Sequence, residues 1–153
     1  MVPETDVLAV LESQARELQE VARAVPEERE LFAYAPGKWT VREVMGHIID
    51  AERVFSHRAF CISRGEPATL PAFDENAYVA QSSSTAIPLK ALLEEFALVR
   101  AANLVFLRRL DAPDWTRTGR ISSGPASVRA LAYMMAGHVR HHVRVLHERY
   151  GIH

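Results

Sequence analysis

Three of the seven histidines in this 153-residue chain fall where helical geometry would bring them together: His47, His138 and His142. At about 100° per residue, His138 and His142 lie only about 40° apart on a helix, in the same direction as Leu131, Met135 and Leu146. His141 swings about 60° to the other side of His138, away from the apolar centre. On a second helix His47 shares its face with Val44, Ala51, Val54 and Ile62, whereas His57 does not. His147 and His153 lie off the inward face or close to the end of the sequence, and are expected to meet water.

Three neutral imidazoles suit zinc, nickel, copper or iron, suit magnesium or calcium poorly, and leave coordination positions open. A zinc-type ion in such a site lowers the pKa of a coordinated water toward about 7, or holds a thiolate as a nucleophile. Three histidines buried separately would need three unrelated desolvation costs, whereas one metal ion satisfies them all. Each inward histidine follows a glycine, Gly46 and Gly137. A glycine inside a helix costs about 1 kcal/mol relative to alanine, so a close approach of the two helix backbones is expected there. Asp50, Glu52 and Asp74 are candidates to orient the ligating rings, with Asp50 and Asp74 the candidate catalytic carboxylates. Arg58 and Arg100, expected on helix flanks, can neutralise an anionic substrate group or serve as surface ion-pair partners.

Four helices must position these residues. The first runs from about Thr5 to Ala24, with Val7, Leu8, Leu11, Leu18 and Val21 as its apolar stripe. The second starts at Thr40, where Thr40 and Glu43 form a capping box and Trp39 and Val44 a hydrophobic staple, and extends to about Ser63. From Arg64 to Pro88, Pro67, Pro71, Gly65 and the polar run Gln81 to Thr85 break any period. This is a long crossover, expected to pack over the bundle end with Phe73 and Tyr78 as anchors. The third helix spans about Pro88 to Leu110, and the fourth runs from a Ser127 cap to Gly151. The expected fold is one all-α four-helix bundle domain over residues 1–153, with no solenoid repeat.

Composition is that of a globular chain: 48% hydrophobic and 24% charged residues. Eighteen basic against nineteen acidic residues give a formal charge of −1, so no net field draws the protein onto nucleic acid or an anionic membrane. The arginines near the end, Arg129, Arg140, Arg144 and Arg149, read as a solvated flank. The single cysteine, Cys61, reads as a small core residue with no sign of activation, and no G-x-S-x-G elbow is present. The acidic start lacks the pattern of a secretion signal and no apolar run approaches the roughly 18 residues of a membrane span, so a cytoplasmic protein is expected.

The stretch from Lys38 to Arg53, the Pro71-Ala72-Phe73-Asp74-Glu75 segment and Gly137-His138-Val139-Arg140-His141-His142 together resemble the DinB/YfiT-like superfamily of metalloenzymes. The resemblance covers roughly residues 5 to 150, in the expected order. It implies a four-helix bundle with a long crossover between helices two and three, often a homodimer, with nickel or zinc on His47, His138 and His142. It also implies relatives that are thiol-dependent S-transferases using low-molecular-weight thiols, or hydrolases.

The expected function is therefore a metal-dependent transferase or hydrolase on a small molecule, with a thiol as one candidate partner. A non-catalytic, stress-related metal-binding dimer would instead show a fourth protein ligand and no adjoining pocket. A metal-free helical interaction module would require that the histidines fail to converge.

Overall fold

The computed structural model describes residues 7–153, and the expected start of the first helix at Thr5 lies outside them. The helices of the bundle are α1 (Val7–Arg23), α2 (Val41–Ser63), α4 (Leu89–Arg108) and α6 (Val128–Tyr150). Shorter elements join them: β1 (Thr69–Leu70), α3 (Glu75–Gln81), α5 (Ala112–Thr116), β2 (Thr118–Ile121) and β3 (Gly124–Ser127). α2 packs on α6 and α4, and α1 closes the bundle against α4 and α6.

The caps act as their residue types dictate. Thr40 Oγ1 accepts from Glu43 N at 3.2 Å and Glu43 Oε2 accepts from Thr40 N at 2.8 Å, fixing where α2 starts and so the depth of His47. Ser127 Oγ accepts from Ala130 N at the start of α6. Gly151 ends that helix in the left-handed region at φ 65°, a conformation that favours glycine. Trp39 and Val44 belong to one apolar cluster with Val41, Met45, Leu92 and Phe96, the part of the core beneath the start of α2.

The crossover is ordered, and it differs from the expectation in what anchors it. Phe73 and Tyr78 pack edge to face on each other, with centroids 5.3 Å apart and Tyr78 49% exposed, while Val79 is the buried residue of α3. A three-stranded sheet, absent from the sequence reading, links the crossover to the approach to α6: β1 runs parallel to β2, and β2 antiparallel to β3. It lies on the far end of α2, where a Cβ on Gly119 would come within 2.6 Å of the Ile62 side chain.

Arg100 and Glu52 are corrected by the structure. Instead of lying on a flank, Arg100 is 1% exposed, and it donates from Nε and Nη2 to both oxygens of Glu52, itself 2% exposed. Its Nη1 donates to Leu11 O and Gln14 Oε1, while Gln14 Nε2 donates to Ala136 O. Asn103 Nδ2 donates to Glu52 Oε1, completing a hydrogen-bonded chain through α1, α2, α4 and α6. Both residues are thus occupied with each other, and Glu52 is not a partner for the histidines.

Removing one member leaves the other charge buried and uncompensated. Glu52→Ala or Arg100→Ala is expected to lower unfolding free energy by about 3–5 kcal/mol in urea titrations. The double change Glu52→Leu with Arg100→Met is expected to cost less than either single loss.

Candidate metal centre

α2 brings His47 inward two turns past its cap, and α6 presents His138 and His142 one turn apart against it. One ligand nitrogen from each ring lies within 4.8 Å of the others. The ring centroids form a near-equilateral triangle, with 4.8 Å from His47 to each partner and 4.5 Å between His138 and His142. His47 is buried, and the other two are half-buried. Trp39 tilts over His47 at 4.8 Å and Phe55 meets the His138 ring at 5.7 Å, giving the triad apolar walls.

Those walls set the electrostatics. Burial disfavours the imidazolium form and lowers the pKa of His47, takes that of His138 to about 4, and takes that of His142 to about 3. Repulsion among the rings adds to the effect, while the Glu75 carboxylate partly opposes it at His47. At neutral pH all three rings are therefore neutral, the state in which imidazole offers a lone pair to a metal.

The donor set fits a divalent transition metal. His47 Nε2 and His138 Nε2 are 2.8 Å apart, close to the separation of about 3.0 Å for two nitrogens at right angles on one ion about 2.1 Å away. Nδ1 of His142 is buried with no hydrogen-bond partner among the described residues. Such an orphaned atom is rare, and coordination of the ring places its polar groups in use. A neutral hydrogen bond between two of the rings would leave it unsatisfied.

Among the described residues the carboxylate within ion-pair distance of the triad is Glu75, with Oε2 3.9 Å from His47 Nε2. Asp74 instead caps α3, accepting from Ala77 N, and neither it nor Asp50 hydrogen-bonds the three imidazoles among the described residues. Burial raises the pKa of Asp50, with the charges of Arg53 and Glu95 nearby. Sequence reading missed Glu75, although a residue just inside a cap, on a segment crossing the bundle end, was a discoverable position. His141 is exposed, with its ring edge-on to His142 at 4.9 Å, and His57 lies beside Cys61. Cys61 is half-buried at the core margin, with its thiol pKa raised by burial.

The two glycines divide. A Cβ on Gly46 would stand 2.9 Å from the Ser84 Cβ and closer to its hydroxyl, so the close approach is by the crossover and not by a second helix. At Gly137 nothing lies within 4 Å, and nothing in the structure explains this glycine.

A four-helix bundle with a long crossover and three converging, neutral imidazoles defines a class of helical protein with a candidate metal centre. The chain belongs to the DinB superfamily, which it matches over residues 11–146. No curated protein matches it in sequence. Among solved structures it is similar to YfiT from Bacillus subtilis, a probable metal-dependent hydrolase with an unusual four-helix bundle topology. The TM-score is 0.82 at 20% identity, covering 98% of this chain and 89% of that one. It is similar to a mycothiol-dependent maleylpyruvate isomerase, with TM-score 0.75 at 14% identity over 94% of this chain and 60% of the other. A DinB-like protein, YjoA from Bacillus subtilis, gives TM-score 0.64 at 17% identity over 95% and 92% of the two chains. At these identities the likenesses establish the fold. No helix among the described residues is long and apolar enough to cross a membrane.

Protonation of the triad couples to folding with a definite sign. The folded-state pKa values lie below the ordinary histidine value of 6.5, reaching about 4 for His138 and about 3 for His142, so the unfolded chain binds more protons in that window. With a chelator present, the thermal midpoint is expected to fall as pH drops from 6.5 through those values, and less steeply in the His138→Ala, His142→Ala double variant.

Proposed function

We propose that this protein is a metal-dependent enzyme acting on a small molecule, with one nickel or zinc ion on His47, His138 and His142. The convergence of three neutral rings, with His142 Nδ1 orphaned, carries this reading. The fold shared with a probable metal-dependent hydrolase and with a mycothiol-dependent isomerase supports hydrolysis or thiol S-transfer as the reaction class. His47, His138 and His142 would hold the ion, which when bound would supply Lewis acidity toward a substrate oxygen or a nucleophile.

The chain's own residues do the rest. Glu75, at the exposed side of the triad, is placed to accept a proton at Oε2, while Asp74 holds the first turn of α3 and so positions Glu75. Asp50 is left as a candidate that adjusts the local field one turn beyond His47. Trp39 and Phe55 exclude water from two sides. We place the protein in the cytoplasm as a homodimer.

Glu75 also supports a second reading, a structural ion whose coordination Glu75 completes. The variants that separate the two are Glu75→Gln, His142→Ala and His141→Ala, prepared without a polyhistidine tag and assayed for metal. About one nickel or zinc per chain is expected in the native protein, retained in the His141 and Glu75 variants and lost in the His142 variant. Loss in Glu75→Gln would favour the structural ion, and no metal after reconstitution would sink both readings. Light scattering at micromolar concentration is expected to return twice the chain mass; the mass of one chain would remove the dimer.

A further inference from the structure

Two arginines are buried in this protein, and their surroundings differ. Arg100 has a bidentate carboxylate in Glu52. Arg58 is 7% exposed, and its one hydrogen bond among the described residues is from Nη2 to the neutral carbonyl of Pro71, at 2.7 Å. Among the described residues no carboxylate lies within ion-pair distance of it. A buried guanidinium without a counter-charge is costly, and burial accordingly lowers its pKa.

Arg58 lines a cleft of about 250 Å³ between α2 and the crossover, walled by Leu70, Pro71, Phe73 and Tyr78. Among the described residues no acidic side chain lines this cleft. Arg53 at its rim is neutralised by Glu95 at 2.8 Å, which leaves Arg58 as the unmatched fixed cation. The cleft is separate from the metal centre, and none of the three histidines lines it. Arg58 follows His47 by eleven residues on α2, so the two side chains leave the helix about 20° apart and about 16 Å along its axis. Glu75 and Tyr78 stand one turn apart on α3, one at the histidines and the other over the cleft.

We propose that this cleft binds a small monocarboxylate with an apolar or aromatic body, its carboxylate taken by the Arg58 fork and its body covered by Phe73 and Tyr78. A single unmatched cation favours a monoanion over phosphate, and guanidinium geometry favours a planar two-oxygen acceptor. The volume, below the roughly 300–1,000 Å³ of drug-sized sites, restricts the ligand to a compact acid. The inference does not rest on the metal-enzyme reading: a compact acid held by Arg58, about 16 Å along α2 from His47, does not reach the triad. Binding itself requires only the cleft.

The test is calorimetric titration of metal-free and metal-loaded protein with acetate, isovalerate, benzoate and phenylacetate, and with inorganic phosphate as the contrast. Saturable binding of benzoate or phenylacetate is expected in both forms, weakened about ten-fold or more in Arg58→Met. Arg58→Lys, which keeps the charge without the fork, is expected to fall between. The thermal midpoint of ligand-free Arg58→Met is expected to hold or rise, because an unpaired buried charge is removed. Equal affinities in native and Arg58→Met protein, no carboxylate binding to native protein, or Arg58-dependent binding of phosphate instead would each overturn the proposal. Should Arg58→Met fail to fold, Arg58→Lys and Arg58→Gln carry the comparison. Benzoate binding in a protein that takes up no metal would remove the metal reading and keep this one; the reverse result would do the opposite.

Discussion

The Arg100–Glu52 pair is the constraint on which the bundle depends. Two charges taken out of water must be matched by geometry, and here both oxygens of one group meet two nitrogens of the other. The remaining donor of Arg100 reaches α1, and Gln14 passes the connection to Ala136 on α6, two residues before His138. An apolar core of similar volume would tolerate helices sliding by a fraction of a turn. A directional network of this kind favours one register, and the register decides whether three imidazoles meet.

Above that network the site inverts its logic. Arg100 and Glu52 match each other's charge, whereas the histidines are kept uncharged by Trp39, Phe55 and each other, and one ring nitrogen is left without a partner among the described residues. Two positions on α2 thus perform different tasks: Glu52 ties the helices together, and His47, five residues earlier, carries the first of the three converging imidazoles. The tie from the Tyr150 hydroxyl to the Trp39 carbonyl at 2.6 Å links the end of α6 to the approach to α2 and keeps the indole in place.

What could be read in the sequence was local or periodic. Thr40 with Glu43, Ser127 and Gly151 mark helix ends because a cap involves residues only a few positions apart. The phase of the histidines follows from helix geometry alone. A charged type suggests exposure for Arg100, yet Leu89, Leu92, Phe96, Arg100, Asn103 and Leu107 repeat every three or four residues, a stripe that puts it inside. The sheet escaped because strands of two to four residues are too short to show a period. Glu75 escaped because Asp74 beside it carried the more familiar signal, and only the path of the crossover shows which carboxylate reaches the triad.

All three histidines belong to the two long helices, while Glu75 and much of the cleft wall belong to the crossover. The fold therefore separates an invariable frame from an exchangeable insert. A different connection between α2 and α4 would change the cleft wall and the carboxylate near His47 and leave the imidazole triangle standing. The seat is narrow at one point, where Ser84 fills the space beside Gly46 immediately before His47. Any replacement segment inherits that steric rule: a bulky residue there must push on the very turn that carries the first histidine.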